Sequence, residues 1–532
     1  MAICDDKVNC ICRRPLRMKN ININIRLGKH MSFIAWNDVD WQLVNKRIAR
    51  YQRRIYKASK NKEEEKVKIL QKKLLRSLDA KLLAVYHVTT ENKGKNTAGT
   101  EKKLYTTPDQ KRSLVNNLCL DGKSYPIHCV WIPKAGKAAK RPLGIPVVLD
   151  LAKQALVVLA LDPQLEASFE GSSYGFRKGR NCQDAIECIF SALSRNTDKT
   201  RAYKYILDAD IKSCFDQIDH DYLLAKLNTL PAVEKQIRSW LTAGIMEVYS
   251  GNAKSLNIAS STFGTPQGGV ISPLLANIAL NGLHDHLKKW IATRPYPSNI
   301  KKPGLRSRED ALQFVRYADD FVLSHPDEYI ISEAREECRS WLLKNPKLEL
   351  SVEKTSIVRS DQGFDYLGFR VMNVKRNGVE IVKIYPSRQS QETFKAKVKI
   401  IFKRNKMASS FQLIKMLSPV ILGWGNYYKY SEARKVFKAL SNYVFQKLRA
   451  WAFRRDPRKR RRFNKEKYFP SGGGYYFDGS KHKDNWTLVG TEVDSKSGKL
   501  LTKFLPQLNW MKKKRWKKVK KASSVYDCDF TH

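Results

Sequence analysis

Phe314-Val315-Arg316-Tyr317-Ala318-Asp319-Asp320-Phe321-Val322-Leu323 sets two adjacent acids between short apolar, β-favouring runs. The pattern predicts two strands joined by a tight turn, with both carboxylates at its tip. Carboxylates so placed repel each other unless a cation lies between them. Hard cations with oxygen ligands, Mg²⁺ above all, meet that demand and bring substrate phosphates with them. An isolated Asp-Asp pair is more often a solvated turn, so the flanking strands carry the functional reading. A third acid is available in Tyr205-Ile206-Leu207-Asp208-Ala209-Asp210-Ile211, where period-two alternation puts Asp208 and Asp210 on one face of another strand. Two-metal nucleotidyl transfer needs acids from separate elements, and the fold must bring these two runs together.

Tyr317-Ala318-Asp319-Asp320, preceded by Asp210-Ile211-Lys212-Ser213-Cys214-Phe215-Asp216, resembles reverse transcriptases. Between them, Gly264-Thr265-Pro266-Gln267-Gly268-Gly269-Val270-Ile271-Ser272-Pro273-Leu274-Leu275-Ala276-Asn277-Ile278 is similar to the reverse transcriptase/maturase proteins encoded by group II introns. The resemblance implies a right-hand polymerase of α/β class: fingers, an α+β palm, an α-helical thumb (maturase domain X) and a short basic carboxyl-terminal tail. It implies RNA-directed DNA polymerase activity, with Asp210, Asp319 and Asp320 holding two Mg²⁺ ions. The implied partners are the parent group II intron RNA, an RNA template, a DNA primer or target, and deoxynucleoside triphosphates. Binding the intron would assist its splicing and mobility, while the RNA itself carries out the transesterifications.

Within that resemblance single residues take roles. Arg141 matches the fingers arginine that contacts the triphosphate, where a planar guanidinium suits phosphate oxygens, and Lys134 is its companion. Phe215 matches the aromatic under the sugar that excludes a 2′-hydroxyl, and so implies a preference for deoxynucleotides. Gln267 matches a residue that packs by the nucleotide and template, and Gly268 and Gly269 beside it permit close backbone approach. Lys354 matches a lysine near the polyphosphate, placed to give a proton to the leaving pyrophosphate. Phe364-Asp365-Tyr366-Leu367-Gly368-Phe369 is similar to the primer grip, with Tyr366, Leu367 and Gly368 at its turn. Ser173 to Arg180 is similar to the template-facing block, which puts Arg177, Lys178 and Arg180 against RNA. Leu417 to Tyr428 resembles the hallmark of domain X. The fingers loop departs from the family, with Gly99-Thr100-Glu101-Lys102 where Gly-Val-Asp-Gly is usual.

Composition points the same way. Lys and Arg number 99 against 51 Asp and Glu, a formal charge of +48. Solubility needs far less, and a polyanionic partner follows. No amphipathic anchor, lipidation signal or apolar run of spanning length accompanies the charge, so no membrane partner is expected. Trp41, Val44, Ile48, Tyr51 and Ile55 recur at three and four as one helix face. Arg47, Arg50, Arg53 and Arg54 fill much of the remainder and are expected to contact the intron. Arg454, Arg455, Arg458, Arg460 and Arg461 lie in a second basic block, whose aromatics suit stacking on unpaired bases. Ten cysteines without a Cys-x-x-Cys pair read as free thiols of a reducing compartment. An intracellular setting follows, in bacterial cytoplasm or in a chloroplast or mitochondrion.

The expected plan runs in order. Residues 1–30 form an amino-terminal extension, 31–200 the extension helix and fingers, and 201–386 the palm. Residues 387–475 form the thumb, and 476–532 a basic, DNA-binding-like tail joined through a flexible Gly472 to Gly474. The HNH endonuclease of many relatives is expected to be absent, since no paired cysteines follow. Three rivals stand against this plan. A splicing cofactor with a relic polymerase is opposed by the intact acids, Gln267 and Arg141. A retron- or defence-type reverse transcriptase is opposed by the domain X motif, and an RNA-directed RNA polymerase by Phe215. Oligomeric state, a homodimer included, is left open.

Overall fold

The computed structural model describes residues 35–133, 140–194, 203–247, 258–259, 264–265, 268–294, 305–377, 379–495, 497–520, 523–527 and 530. They fall into two compact units, one running to Ser168 and resuming over Ser213–Leu280, the other Phe169–Lys212 with Asn281–His532. The span 201–386 is therefore divided between them.

The first unit is mainly helical. Helix Trp41–Lys60 starts where the Asp40 carboxylate accepts the N–H groups of Gln42 and Leu43, two amides that have no partner inside the helix. Its apolar positions, three and four apart, bury Val44, Ile48 and Ile55. They pack with helices Glu64–Arg76, Leu78–Tyr86 and Val148–Glu166. The last is buried on nearly every side, as its continuous apolar run requires. It also hides a cation: Lys153 is 1% exposed and pairs with Asp121 at 2.7 Å. Strands Ile127–Pro133 and Lys140–Ile145 pair antiparallel, with Ile132 opposite Arg141. Strand Ile245–Glu247 joins parallel to the first, and Ile258–Ala259 completes that sheet.

The second unit is built on a four-stranded antiparallel sheet in the order Gln313–Tyr317, Asp320–His325, Tyr205–Asp210, Ser356–Arg359. Phe314, Val315, Phe321, Val322 and Leu323 are all buried, so the central hairpin is covered on both faces. Helix Glu328–Lys344 packs on the sheet and buries Ile331, Ala334, Cys338, Trp341 and Leu342, which recur at three- and four-residue intervals along one face. A meander of Phe364–Tyr366, Phe369–Arg376 and Val379–Pro386 leads into helices Arg388–Arg404, Ser410–Tyr428 and Arg434–Arg455. Phe369, Phe394, Leu417, Leu440 and Leu448 share one core.

The chain beyond Gly472 differs from a simple basic tail. Two hairpins, Gly474–Phe477 with Ser480–Lys483 and Val489–Val493 with Leu500–Phe504, carry it forward. Leu488, Leu505, Leu508 and Met511 then enter the same core as the helices, so the boundary expected at 475 separates no two cores. Apolar residues spaced among the lysines produce this docking. Next, the Trp516 Nε1–H and the Val519 N–H donate to Asp184, a fully buried carboxylate of helix Cys182–Ser194. Among the described residues no helix is long and apolar enough to cross a membrane.

Candidate active site

Tyr317 and Asp320 pair directly, leaving Ala318 and Asp319 as a two-residue turn. Hairpin turns of this length require a positive φ. Ala318 supplies it at 58°, a conformation that costs a residue bearing a Cβ on the order of 1 kcal/mol. Across the sheet Asp320 stands opposite Asp210, which unites the two acidic runs. Their carboxyls adjoin closely enough for Asp210 to act on Asp320.

Burial pushes the Asp320 carboxyl up to about 8, with further contributions from its bond to Asp210 and the charge of Asp319. Burial and then Asp210 raise Asp319 as well. Asp208 rises to about 7 through burial and the charges of Asp210 and Asp365. Against these acids stands Lys354, which donates to Asp210. Burial alone would lower its ammonium, but the bond to Asp210 and the nearby acids hold it above its ordinary value.

Mostly buried carboxylates with one lysine among them are the oxygen donors a hard divalent cation takes. Among the described residues no three His, Cys, Asp or Glu side chains converge into a finished ligand set.

Two further segments hold the turn. The Arg316 N–H donates to the Ser172 carbonyl and the Tyr174 N–H to the Arg316 carbonyl, both at 2.9 Å. Gly175 follows so closely that a Cβ there would lie 2.3 Å from the Ala318 nitrogen. On the other side, the Tyr366 hydroxyl donates to the Asp320 carbonyl at 3.2 Å. Leu367 and Gly368 turn with φ of 48° and 79°. Their carbonyls accept the hydroxyls of Tyr427 and Tyr428 at 2.9 and 3.1 Å. The three residues of the expected primer grip are thus tied both to the acidic hairpin and to the Leu417–Tyr428 motif.

Other expected positions are placed less centrally. Lys134 and Gln267 lie outside the described residues, and Arg141 is located only by its strand. Phe215 is half-buried in the short helix Cys214–Gln217 of the first unit, its carbonyl accepting the Thr265 N–H. Gly268, at φ 141°, approaches Gly144 so closely that a Cβ would meet its carbonyl oxygen at 2.1 Å.

The arginines divide by exposure. Arg47, Arg50, Arg53 and Arg54 face solvent, with Arg47 also 3.5 Å from Asp79. Arg454, Arg458, Arg460 and Arg461 are exposed, whereas Arg455 turns inward to the carbonyls of Met407 and Ala408. In place of the RNA contact expected of them, Arg177 and Arg180 are buried at 6% and 7% exposure. Arg177 donates to the Glu170 and Ser173 carbonyls, and Arg180 to those of Gly171 and Ser523. Lys178 donates to the Tyr526 hydroxyl. A loop that carries buried carbonyls needs these donors itself. Sequence reasoning gave no role to Arg316 or Glu170. The available signal was a charge inside the apolar run Phe314-Val315-Arg316-Tyr317.

Residues 132–371 match the family described as reverse transcriptase (RNA-dependent DNA polymerase). Residues 36–118 match the N-terminal domain of reverse transcriptase, and 391–469 the group II intron maturase-specific domain. Protein YkfC of Escherichia coli is 32% identical over 308 residues, spanning 54% of this chain and 78% of that protein. The group II intron-encoded protein LtrA of Lactococcus lactis is 30% identical over 356 residues, 55% of this chain but only 56% of LtrA. Maturase-like protein 1 of Euglena gracilis is 25% identical over 409 residues, spanning 75% of this chain and 79% of that protein. Reverse transcriptases use divalent metal ions, in keeping with the carboxylates gathered around Asp210. With a reverse transcriptase domain followed by a maturase domain, the chain belongs to the group II intron-encoded reverse transcriptases/maturases, a family of RNA-directed DNA polymerases.

Proposed function

We propose that this protein extends a DNA primer on an RNA template, with Asp210, Asp319 and Asp320 holding two Mg²⁺ ions. We propose also that it binds its parent group II intron RNA to assist splicing and mobility. The carrying observation is the register that puts Asp210 opposite Asp320, with Asp319 at the turn and Lys354 bonded to Asp210. When bound, the ions would lower the pKa of the primer 3′-hydroxyl and offset phosphate charge. Lys354, kept protonated by its acidic neighbours, stands ready to give a proton to the departing pyrophosphate. The Tyr366–Gly368 turn positions the primer end. Lys134, Arg141 and Gln267 receive the deoxynucleoside triphosphate, and Phe215 excludes a 2′-hydroxyl. The exposed arginines of Trp41–Lys60 and those around Arg458 contact intron phosphates. The setting is bacterial cytoplasm or an organelle that houses such introns.

Primer extension on an RNA template with deoxynucleotides and Mg²⁺ tests this, comparing wild type with Asp319→Ala. We expect cDNA from the wild type and none from the variant. A folded wild type that binds intron RNA tightly yet makes no cDNA would leave only the splicing role.

A further inference from the structure

Among the described residues Arg316 is the largest fully buried side chain, at 0% exposure, on the strand that enters the acidic turn. A guanidinium cannot shed its charge, and burying it is costly unless partners compensate. The partners surround the turn. Arg316 Nη1–H donates to the Ala318 carbonyl at 3.1 Å, the residue held at φ 58°. The Tyr366 hydroxyl donates to the Asp320 carbonyl of the same turn. Glu170, two residues before the Ser172 whose carbonyl accepts the Arg316 N–H, is itself 7% exposed. One Glu170 oxygen accepts the N–H groups of Gly282 and His284 at 2.8 and 2.9 Å. Its other oxygen is buried with no hydrogen-bond partner among the described residues, and the positive charge acting on that carboxylate is Arg316. The main chain of Arg316 is pinned as well, bridged to Ser173.

We propose that Arg316 is a positioning residue of the polymerase site, its buried guanidinium holding the left-handed Ala318 turn that aims Asp319 and Asp320. Full burial keeps Arg316 away from substrate, so it acts through the acids alone. The bond to Ala318 offsets the strain of the turn and sets the direction of the two side chains. Removing the guanidinium frees the turn.

The inference rests on the polymerase reading, and its test includes a readout independent of it. Free Mn²⁺, measured by electron paramagnetic resonance, is titrated with wild type, Asp319→Ala, Arg316→Gln and Arg316→Lys, each first checked for cooperative thermal unfolding. Steady-state single-nucleotide extension is run beside it. Groups that orient metal ligands typically contribute about 10–100-fold to metal affinity or activity. Arg316→Gln is expected to weaken Mn²⁺ binding and lower kcat by about 10–100-fold, with little change in KM for the nucleotide. Arg316→Lys, which keeps the charge and loses the planar fork, is expected to recover part of both. A folded Arg316→Gln within about twofold of wild type in Mn²⁺ affinity and kcat would overturn the proposal. Failure of both variants to fold would overturn it too, since the arginine would then support the fold and not the aim of the turn. Wild type that binds Mn²⁺ without making cDNA would sink the polymerase reading, while the Mn²⁺ titration still decides Arg316.

Discussion

An aspartate in an unfolded chain ionises near pH 4, whereas burial, the bond to Asp210 and the charge of Asp319 push folded Asp320 up to about 8. Between those values the folded carboxyl keeps a proton that the unfolded one has lost, so stability falls as pH rises through that window. Asp320→Asn removes this penalty. In EDTA we expect the variant to exceed wild type at pH 8 by on the order of 1 kcal/mol, and the gap to close by pH 4. Mg²⁺ should raise the Tm of wild type and leave that of the variant nearly unchanged, while cDNA synthesis by the variant is lost. Unfolding scans across pH, with and without Mg²⁺, check both halves. Phe215 gives a second test at this scale. Phe215→Val should admit ribonucleotides, reducing discrimination in kcat/KM by about 10-fold or more, a contact-sized effect. Unchanged discrimination would return Phe215 to an ordinary packing role.

Elements whose signal is local were legible before any coordinates. Apolar, β-favouring runs on both sides of two acids marked Phe314–Leu323 as a hairpin, and three-four spacing marked Trp41, Val44, Ile48, Tyr51 and Ile55 as one helix face. What joins distant elements was not legible. Trp516 sits among lysines and reads as part of a basic tail, yet its indole N–H serves Asp184, more than three hundred residues earlier. Arg177 and Arg180 lie in a motif that promises RNA, yet buried carbonyls nearby take their donors. Truncation after Lys514 should therefore cost about 1–3 kcal/mol, because buried Asp184 loses two donors. Denaturant unfolding would show it. The Leu417–Tyr428 helix makes a parallel case. Tyr427→Phe with Tyr428→Phe strips the hydroxyls from the Leu367 and Gly368 carbonyls, and should cost about 1 kcal/mol each. If that turn grips the primer, KM for primer–template rises more than KM for the nucleotide. Equal changes in both would make the tyrosines simple struts.

For the molecule as a whole, charge is the property most plainly written in the sequence and least completely explained by it. A formal +48 announces a polyanion but does not say which cations meet it. The structure sorts them. Arg50, Arg53 and Arg54 face solvent from one helix, while Arg455 spends its guanidinium on the Met407 and Ala408 carbonyls and lies 4.9 Å above the Trp451 ring. Arginines from two basic runs should then fail differently. Phosphate contacts release counterions, so each one lost should reduce the slope of log K against log salt by about 0.7–0.9. Replacing Arg50, Arg53 and Arg54 with Gln should flatten that slope for intron RNA by about 2 and leave Tm nearly unchanged. Arg455→Gln should do the reverse. Its carbonyl partners would lose their donor and Tm would fall, while the salt slope stays that of wild type. RNA binding measured across a range of salt, paired with thermal unfolding, separates the two. Equal slopes for the triple variant and wild type would move the intron interface away from Trp41–Lys60.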